Sequence, residues 1–166
     1  MVFVSVGTER FPFDRLVRAV DEMAGQRHDE PIFVQTGHST YQPRWCQWAR
    51  FLPYQELVKR IGEARMVVSH AGAGSMLLCM RVGKIPIVVP RRKRFGEHVD
   101  DHQLELAARM AQLGRVVLAS SPEEAMSLIH ADHTRSVTVA NETAQQPTLG
   151  HLLGEYLQTY EGSLTR

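Results

Sequence analysis

Short runs of apolar, largely β-branched residues alternate along the first 130 positions with segments whose apolar residues recur at helical spacing. Strands that are apolar throughout are typical of a parallel sheet covered by helices on both faces. The sequence therefore predicts an α/β domain with a Rossmann-like, doubly wound parallel sheet over residues 1–130. The predicted strands are residues 2–6, 32–35, 48–52, 66–69, 85–89 and 115–118, and the predicted helices start at 12 and cover 54–61, 75–82, 101–113 and 122–129.

Composition and charge exclude several classes of protein. The 166 residues suffice for one domain with a full core, and the net charge of +1 gives no global attraction to nucleic acid. The first residues lack the basic region of a signal peptide, and no stretch reaches the ~20 apolar residues of a transmembrane helix. Cys46 and Cys79 fit neither a disulfide framework nor a zinc site. We therefore expect a cytoplasmic protein.

The segment after the predicted strand at 66–69 has the strongest ligand-binding pattern. Its sequence, SHAGAGS at residues 69–75, places a glycine-rich turn directly before an apolar helix. Small residues let the backbone approach a ligand, and free N–H groups in a first helical turn attract phosphate. We expect Ser75 to cap the helix or donate to a phosphate, and the helix to be buried because it is apolar nearly all round. The alternative is that the glycines serve packing alone.

A basic loop follows the predicted strand at 85–89, with the sequence PRRKRFGEHVDDHQ at residues 90–103. Because the carboxyl ends of parallel strands share one edge of a sheet, this loop should face the same ligand as the glycine turn. Arg91 to Arg94 can neutralise a diphosphate or a sugar carboxylate. A solvated basic loop is the alternative for two of the four.

The helix after this loop starts with Asp101, His102 and Gln103, whose side chains can reach ribose hydroxyls, a base or a sugar. One of Asp100 and Asp101 is instead expected to cap that helix. His98 and His102 do not complete a zinc pattern, so we expect no metal.

Two further turns fall at the same predicted edge. Gly7 and Thr8 follow the first strand and can add backbone and hydroxyl donors to a phosphate, and QTGHS at residues 35–39 follows the second. Four polar or glycine-bearing strand ends therefore predict one ligand site at the carboxyl edge of the sheet.

The blocks VSVGT, QTG, SHAGAGS, GKIPIVVPR and GEHVDDHQLELA occur in this order. Together they resemble the glycosyltransferase family 28 C-terminal domain, within it small single-domain proteins of bacterial exopolysaccharide and capsule clusters. The catalytic subunit of the eukaryotic two-subunit N-acetylglucosaminyltransferase of N-glycan precursor assembly is a more distant relative. The resemblance implies the donor-binding half of a GT-B glycosyltransferase. Its substrate would be a UDP-sugar with no other cofactor, and it would transfer a hexose or hexuronate to a lipid-linked oligosaccharide held by a membrane-anchored partner subunit.

The same resemblance implies which residues bind the nucleotide-sugar. They are Gly7, Thr8, His70, Ala71, Gly72, Gly74, Ser75, Glu97, His98, Asp101, His102 and Gln103, with Arg91 added from the basic loop. The catalytic candidates are His70, Glu97 and His98. The resemblance implies a ribose-binding glutamate on the helix after the glycine turn, but Leu78 stands there in this chain, so either another group holds the ribose or that contact is absent.

Residues 131–166 are predicted to form a polar linker and a C-terminal amphipathic helix, which folds back on its own domain or docks a partner chain. Dependence on a partner implies that the isolated chain is nearly inactive, and that the partner holds it at the inner face of the plasma membrane. The alternatives are a non-catalytic nucleotide-sugar-binding regulatory subunit and a hydrolase or epimerase of UDP-sugars.

Overall fold

The computed structural model describes residues 1–26 and 30–131, so the predicted linker and C-terminal helix lie, apart from Ala131, outside the described residues. Strands and helices alternate as the sequence pattern indicates. The strands are β1 (Val2–Ser5), β2 (Ile32–Gln35), β3 (Gln47–Ala49), β4 (Met66–Ser69), β5 (Ile87–Val88) and β6 (Val117–Leu118). The helices are α1 (Asp14–Gln26), α2 (Tyr54–Glu63), α3 (Ala73–Arg81), α4 (His102–Gln112) and α5 (Pro122–Ala131), and a short 3-10 turn covers Lys93–Phe95.

The six strands form one sheet in the order β3-β2-β1-β4-β5-β6, and every neighbouring pair is parallel. The predicted doubly wound α/β fold is therefore confirmed. The chain winds outward from β1 to β3 and then returns to place β4 on the other side of β1. Ligands of such sheets bind outside the carboxyl ends of the strands at this reversal. Ser5 is in register with Gln35 on one side and Ser69 on the other, so β1, β2 and β4 end at the same level.

Apolar side chains from both faces of each central strand explain why the sheet is covered on both sides. Val2 and Val4 of β1 pack in a core cluster with α1 and α5. Phe3 points to the opposite face and packs with residues of α2 and α3. No described helix is long and apolar enough to cross a bilayer.

The structure corrects two expectations about α3. The helix begins at Ala73 and its N-cap is Gly72, so Ser75 lies inside the first turn and does not cap it. The helix is also less buried than its composition suggests, because only Met76 and Cys79 are fully buried. The reason is its place in the outer layer: one side packs toward the sheet, and the rest is only partly covered.

Strand boundaries also differ from the pattern at the sheet edges. β3 covers Gln47–Ala49 where residues 48–52 were expected, and β5 and β6 have two residues each. Hydrophobic runs continue beyond the residues that pair in a ladder, so apolar pattern overstates strand length here.

The loop after β2 is fixed to α1 by a buried carboxylate. Asp21 of α1 accepts hydrogen bonds from the backbone N–H groups of Arg44, Trp45 and Cys46 and from the Tyr41 hydroxyl. Burial raises the pKa of Asp21, but these hydrogen bonds outweigh burial and lower it overall, so the group is ionised at neutral pH. The edge strand β3 thus starts from a loop with a defined position.

Candidate functional site

Loops after β1, β2, β4 and β5 meet at the carboxyl edge of the sheet. We call them the β1 loop (residues 6–13), the β2 loop (36–46), the β4 loop (70–72) and the β5 loop (89–101). The β1 and β2 loops are in direct contact, because a Cβ added at Gly37 would lie 2.5 Å from the carbonyl oxygen of Gly7. The predicted convergence of four strand ends is therefore present in the fold.

His70 is the first residue of the β4 loop, and its side chain lies between the backbones of the β1 and β4 loops. Its side chain is buried, with 4% exposure, and its Nδ1 atom lies 3.4 Å from the Ser5 carbonyl oxygen. A Cβ at Gly7 would lie 2.4 Å from the His70 ring, and a Cβ at Gly72 would lie 2.3 Å from its Nε2 atom. Both glycines are therefore needed to make room for the imidazole, and the two loops interlock around it.

The backbone next to His70 is strained. Ala71 has a φ of 63°, in the left-handed region, where a side chain costs about 1 kcal/mol or more. Ala71 is fully buried in a cluster with Met76 of α3 and Val88 of β5, and this packing holds the unfavourable conformation. The turn therefore delivers the chain into α3 in a single fixed orientation.

The first turn of α3 is open to a ligand. Gly72 is the N-cap and forms no side-chain capping bond, so the first N–H groups of the helix have no acceptor from a capping side chain. Gly74 is exposed in this turn, and a Cβ there would meet nothing within 4 Å. Free N–H groups together with the positive end of the helix dipole form an anion-binding site.

His70 is uncharged at neutral pH. Burial lowers its pKa to about 4, with a further lowering from the charge of Arg91 and a smaller opposing effect of the Ser5 carbonyl. Because a carbonyl only accepts, Nδ1 carries the ring proton in the contact with Ser5, and Nε2 is left as an acceptor. A bound anion would favour protonation of Nε2, so this imidazole can gain a proton as negative charge develops beside it.

Arg91 contacts the protein backbone where the sequence suggested a ligand of the diphosphate. Its side chain is fully buried, and its guanidinium donates to the carbonyl oxygens of Val6, Phe11 and Glu97 at 2.6, 2.7 and 3.0 Å. Both terminal nitrogens of the guanidinium are bonded to these carbonyls, which come from two loops at the carboxyl edge, whereas Nε is buried without a partner among the described residues. Of the basic run, Lys93 and Arg94 are exposed.

Glu97 is held in an ion pair and is not placed as a catalytic base. Its carboxylate accepts from Nε and Nη2 of Arg15 at 2.9 and 3.0 Å, and from the backbone N–H of Arg92 at 3.0 Å. The side chain is buried, and Arg15 Nη2 also reaches the Pro90 carbonyl oxygen at 3.4 Å. These bonds fasten the β5 loop to α1.

His98 has a better geometry for catalysis, because a carboxylate orients its ring. Asp100 Oδ1 lies 3.1 Å from His98 Nδ1, and Asp100 Oδ2 lies 3.0 Å from His102 Nδ1. Burial raises the pKa of Asp100, but hydrogen bonds from His102 and the charges of both histidines lower it overall. A histidine oriented by an ionised carboxylate is the arrangement of a general base.

The start of α4 divides the capping role between two aspartates. Asp101 occupies the N-cap position without a side-chain capping bond, and its carboxylate accepts from the Lys93 N–H at 3.0 Å. Asp100 instead accepts from the N–H of His102, the first residue of the helix. The Oε1 atom of Gln103 is buried without a hydrogen-bond partner in the described part of the chain, so it can accept from a ligand only after its side chain turns outward.

Sequence reasoning missed an aromatic pair at the same edge. Phe51 follows β3, is 45% exposed, and its ring centroid lies 5.3 Å from that of His38 in the β2 loop. An aromatic residue near the carboxyl end of the strand predicted at residues 48–52 was the available signal. Leu78, the position at which the family resemblance led us to expect a glutamate, packs against the α2–α3 side of the core. Within residues 1–26 and 30–131, no three His, Cys, Asp or Glu side chains are grouped to hold a metal ion.

Comparison with known families identifies the family of this chain. Residues 1–146 match the family described as "Glycosyltransferase family 28 C-terminal domain", and the chain belongs to this family. ALG13 of Yarrowia lipolytica, a UDP-N-acetylglucosamine transferase subunit, is 36% identical over 76 residues, which are 46% of this chain and 36% of that protein. The Homo sapiens protein of the same name is 33% identical over 125 residues, 69% of this chain and 10% of that protein. The chain thus spans about a third or less of the length of these relatives.

Solved structures share the fold. The glycotransferase of kitacinnamycin superposes with a TM-score of 0.59 at 15% identity, over 81% of this chain and 34% of that chain. CalG4, the calicheamicin glycosyltransferase, superposes with a TM-score of 0.58 at 16% identity, over 78% of this chain and 34% of that chain. Os79 from O. sativa in complex with UDP superposes with a TM-score of 0.57 at 16% identity, over 80% of this chain and 31% of that chain. The chain has the fold of one half of a GT-B glycosyltransferase.

The contact between His70 and Gly72 predicts a specific mutant cycle. Gly72→Ala should cost about 2 kcal/mol of unfolding free energy, because the new methyl group overlaps the imidazole. In a His70→Ala background the same change should be nearly neutral, since φ at Gly72 is −68° and suits alanine. Urea denaturation of the four proteins measures the coupling. Gly7→Ala should stay costly in both backgrounds, because φ there is +79°. Independent, additive effects of Gly72→Ala and His70→Ala would contradict the interlock.

The uncharged state of His70 predicts a pH-dependent stability. The pKa in the folded protein, about 4, lies below the unfolded value of about 6.5, so the folded state resists protonation. The contribution of a neutral His70 is complete above pH 6.5 and is lost as the pH falls toward 4. Between pH 7 and 4.5 the wild type should lose about 2 kcal/mol more than His70→Gln in urea unfolding. Equal losses in both proteins would show that His70 is protonated freely.

Proposed function

We propose that this chain binds a UDP-sugar at the carboxyl edge of its sheet and is the donor-binding, catalytic subunit of a two-part glycosyltransferase. The observation that carries the proposal is the open first turn of α3, set in place by the interlock of His70, Gly7 and Gly72. The free N–H groups there would hold the diphosphate, with the β1 loop closing on it from the neighbouring strand. Family membership supports the same reaction class.

The relatives suggest the identity of the donor sugar. ALG13 carries the name of a UDP-N-acetylglucosamine transferase subunit, so UDP-N-acetylglucosamine is the first donor to test. These relatives give no support to a hexose or hexuronate donor or to exopolysaccharide or capsule synthesis. The argument for a hexuronate also weakens because Arg91, the first of the basic run, is turned into the protein. We keep glucose, galactose and glucuronate donors as competitors in the test.

The base and ribose would be held at the β2 side of the edge and by α4. The exposed ring of Phe51 can stack against a planar base. A rotation of the Gln103 side chain would bring its Oε1 atom, which is buried without a partner among the described residues, to a ribose hydroxyl. The apolar side chain of Leu78 cannot bind a ribose hydroxyl, so the ribose contact would come from another group such as Gln103.

The reaction would break the bond between the sugar C1 atom and the diphosphate oxygen while an acceptor hydroxyl attacks C1. Negative charge then accumulates on the departing UDP, where the N–H groups of α3 would stabilise it. His70 can take up a proton on the same side as this charge grows. His98, oriented by Asp100, is the described group best placed to handle the proton of the acceptor hydroxyl.

A partner chain would supply the other half of the cleft. The chain covers 34% or less of the solved GT-B chains above, so the acceptor side is not formed by the described residues. We propose that a membrane-anchored subunit supplies this side, binds a lipid-linked oligosaccharide acceptor, and holds the chain at the cytoplasmic face of the membrane.

A charge placed in the first turn of α3 tests the donor site. Gly74→Asp fits without a clash and suits a helix N-terminus, so folding should be unchanged while a diphosphate is repelled. Calorimetric titration with UDP should show at least a tenfold weaker affinity for Gly74→Asp than for the neutral control Gly74→Asn. The wild type should prefer UDP to ADP and GDP, and UDP-N-acetylglucosamine to the other UDP-sugars. Equal UDP affinity in the two variants would place the diphosphate elsewhere.

His98 separates a catalytic from a regulatory subunit. With membranes from cells that lack this chain as the source of partner and acceptor, His98→Ala should reduce sugar transfer by about 10²-fold or more. Its UDP affinity should stay within about threefold of the wild type, because the diphosphate is held by α3. Unchanged transfer would favour a non-catalytic role, and release of UDP by the chain alone would favour a hydrolase.

A further inference from the structure

Among residues 1–26 and 30–131, Arg91 has the largest fully buried side chain. Its guanidinium donates through Nη2 to the Val6 carbonyl oxygen at 2.6 Å and through Nη1 to the Phe11 and Glu97 carbonyl oxygens at 2.7 and 3.0 Å. The guanidinium also lies over the ring of Phe13, 5.0 Å from the centroid. One side chain therefore contacts both ends of the β1 loop and the middle of the β5 loop.

These acceptors leave few alternatives for the role of Arg91. A ligand cannot reach a fully buried guanidinium whose two terminal nitrogens already meet carbonyl oxygens. An apolar side chain would fill the same space but leave several buried carbonyl groups without a donor, which is costly. The planar fork of arginine reaches acceptors on two sides at once, whereas a lysine ammonium has a shorter reach and no fixed geometry.

An ion pair ties one of these loops, the β5 loop, to α1 as well. Arg15 of α1 binds both carboxylate oxygens of Glu97 and the carbonyl oxygen of Pro90, so the β5 loop is tied to α1 as well as to Arg91. Glu97 thus contributes its carbonyl to Arg91 and its carboxylate to Arg15. The β1 and β5 loops are joined through this network although they follow strands that are not neighbours in the sheet.

We propose that Arg91 is the positioning residue of the donor site, which clamps the β1 and β5 loops at a fixed separation so that both are preformed for the donor. That the ligand is UDP rests on the proposed function, whereas the clamp itself does not. Arg91 acts without touching the donor. Its charge also reaches the site, because it contributes to the low pKa of His70 together with burial and His98.

Hydrogen exchange tests the clamp without any ligand. In Arg91→Lys, amides in peptides covering residues 6–13 and 91–101 should exchange at least about fivefold faster, since their carbonyl anchors are lost. Amides of α2 and α5 should exchange as in the wild type. Ile129→Ala is the matched control: Ile129 is buried near the end of α5, and this change should lower global stability without a selective effect on the two loops.

UDP titration of the same proteins tests the consequence for binding. Arg91→Lys keeps the charge and should bind UDP about tenfold more weakly, and Arg91→Met, which loses charge and fork, about 100-fold more weakly. Ile129→Ala should bind within about twofold of the wild type. This ordering would show that the loss follows from the loops and the charge, not from stability.

The outcomes separate the two proposals. One outcome is that Arg91→Lys speeds hydrogen exchange only in the two loops while the wild type does not bind UDP. This outcome would keep the clamp and reject UDP as the ligand. If Arg91→Lys and Arg91→Met both bind UDP with the same affinity as the wild type, the clamp is rejected as a determinant of binding. Uniformly faster exchange over α2, α5 and the loops alike would reduce Arg91 to a residue of general stability and overturn the proposal.

Discussion

The imidazole of His70 fills the space that Gly7 and Gly72 leave between the loops of two neighbouring strands, and the rest of the site is arranged around this contact. With a Cβ at either glycine the ring would have to move, and the β1 and β4 loops would separate. The same turn carries the strained backbone of Ala71, which is held by burial in the core and directs the chain into α3. The open N-terminus of that helix is therefore fixed by packing, not by a capping side chain.

Buried charge supplies a second layer of order. Arg91, Glu97 and Arg15 would each be costly inside a protein if left unpaired. Here the guanidinium of Arg91 meets backbone carbonyls, and the Glu97 carboxylate meets both Arg15 and a backbone N–H. The network turns loops that could move independently into one rigid edge, which reduces the entropy lost when a ligand binds. It also leaves a positive charge close to the neutral His70.

The division of labour in the fold follows from its size. A parallel sheet of six strands with helices on both faces gives a complete core and a complete carboxyl edge. The solved GT-B glycosyltransferases that share this fold are longer: this chain covers 34% and 31% of two of them. Under the proposed function, this domain holds the activated donor in a preformed site while a second body brings the acceptor.

The sequence alone determined the alternation of strands and helices, the parallel sheet and the strand ends that carry the site, because hydrophobic period and glycine position are local properties. It also identified the SHAGAGS turn. Tertiary structure decided what individual side chains do there. Arg91 was expected beside a diphosphate but binds carbonyls of residues 80 and 85 positions away, a contact that no local pattern encodes. Glu97 pairs with Arg15, and Gly72 is the N-cap of α3 where Ser75 was expected. Each outcome depends on which groups the fold brings within reach. Sequence thus fixes where a polar residue lies along the sheet edge, whereas packing across the sheet decides whether it faces the ligand or the protein.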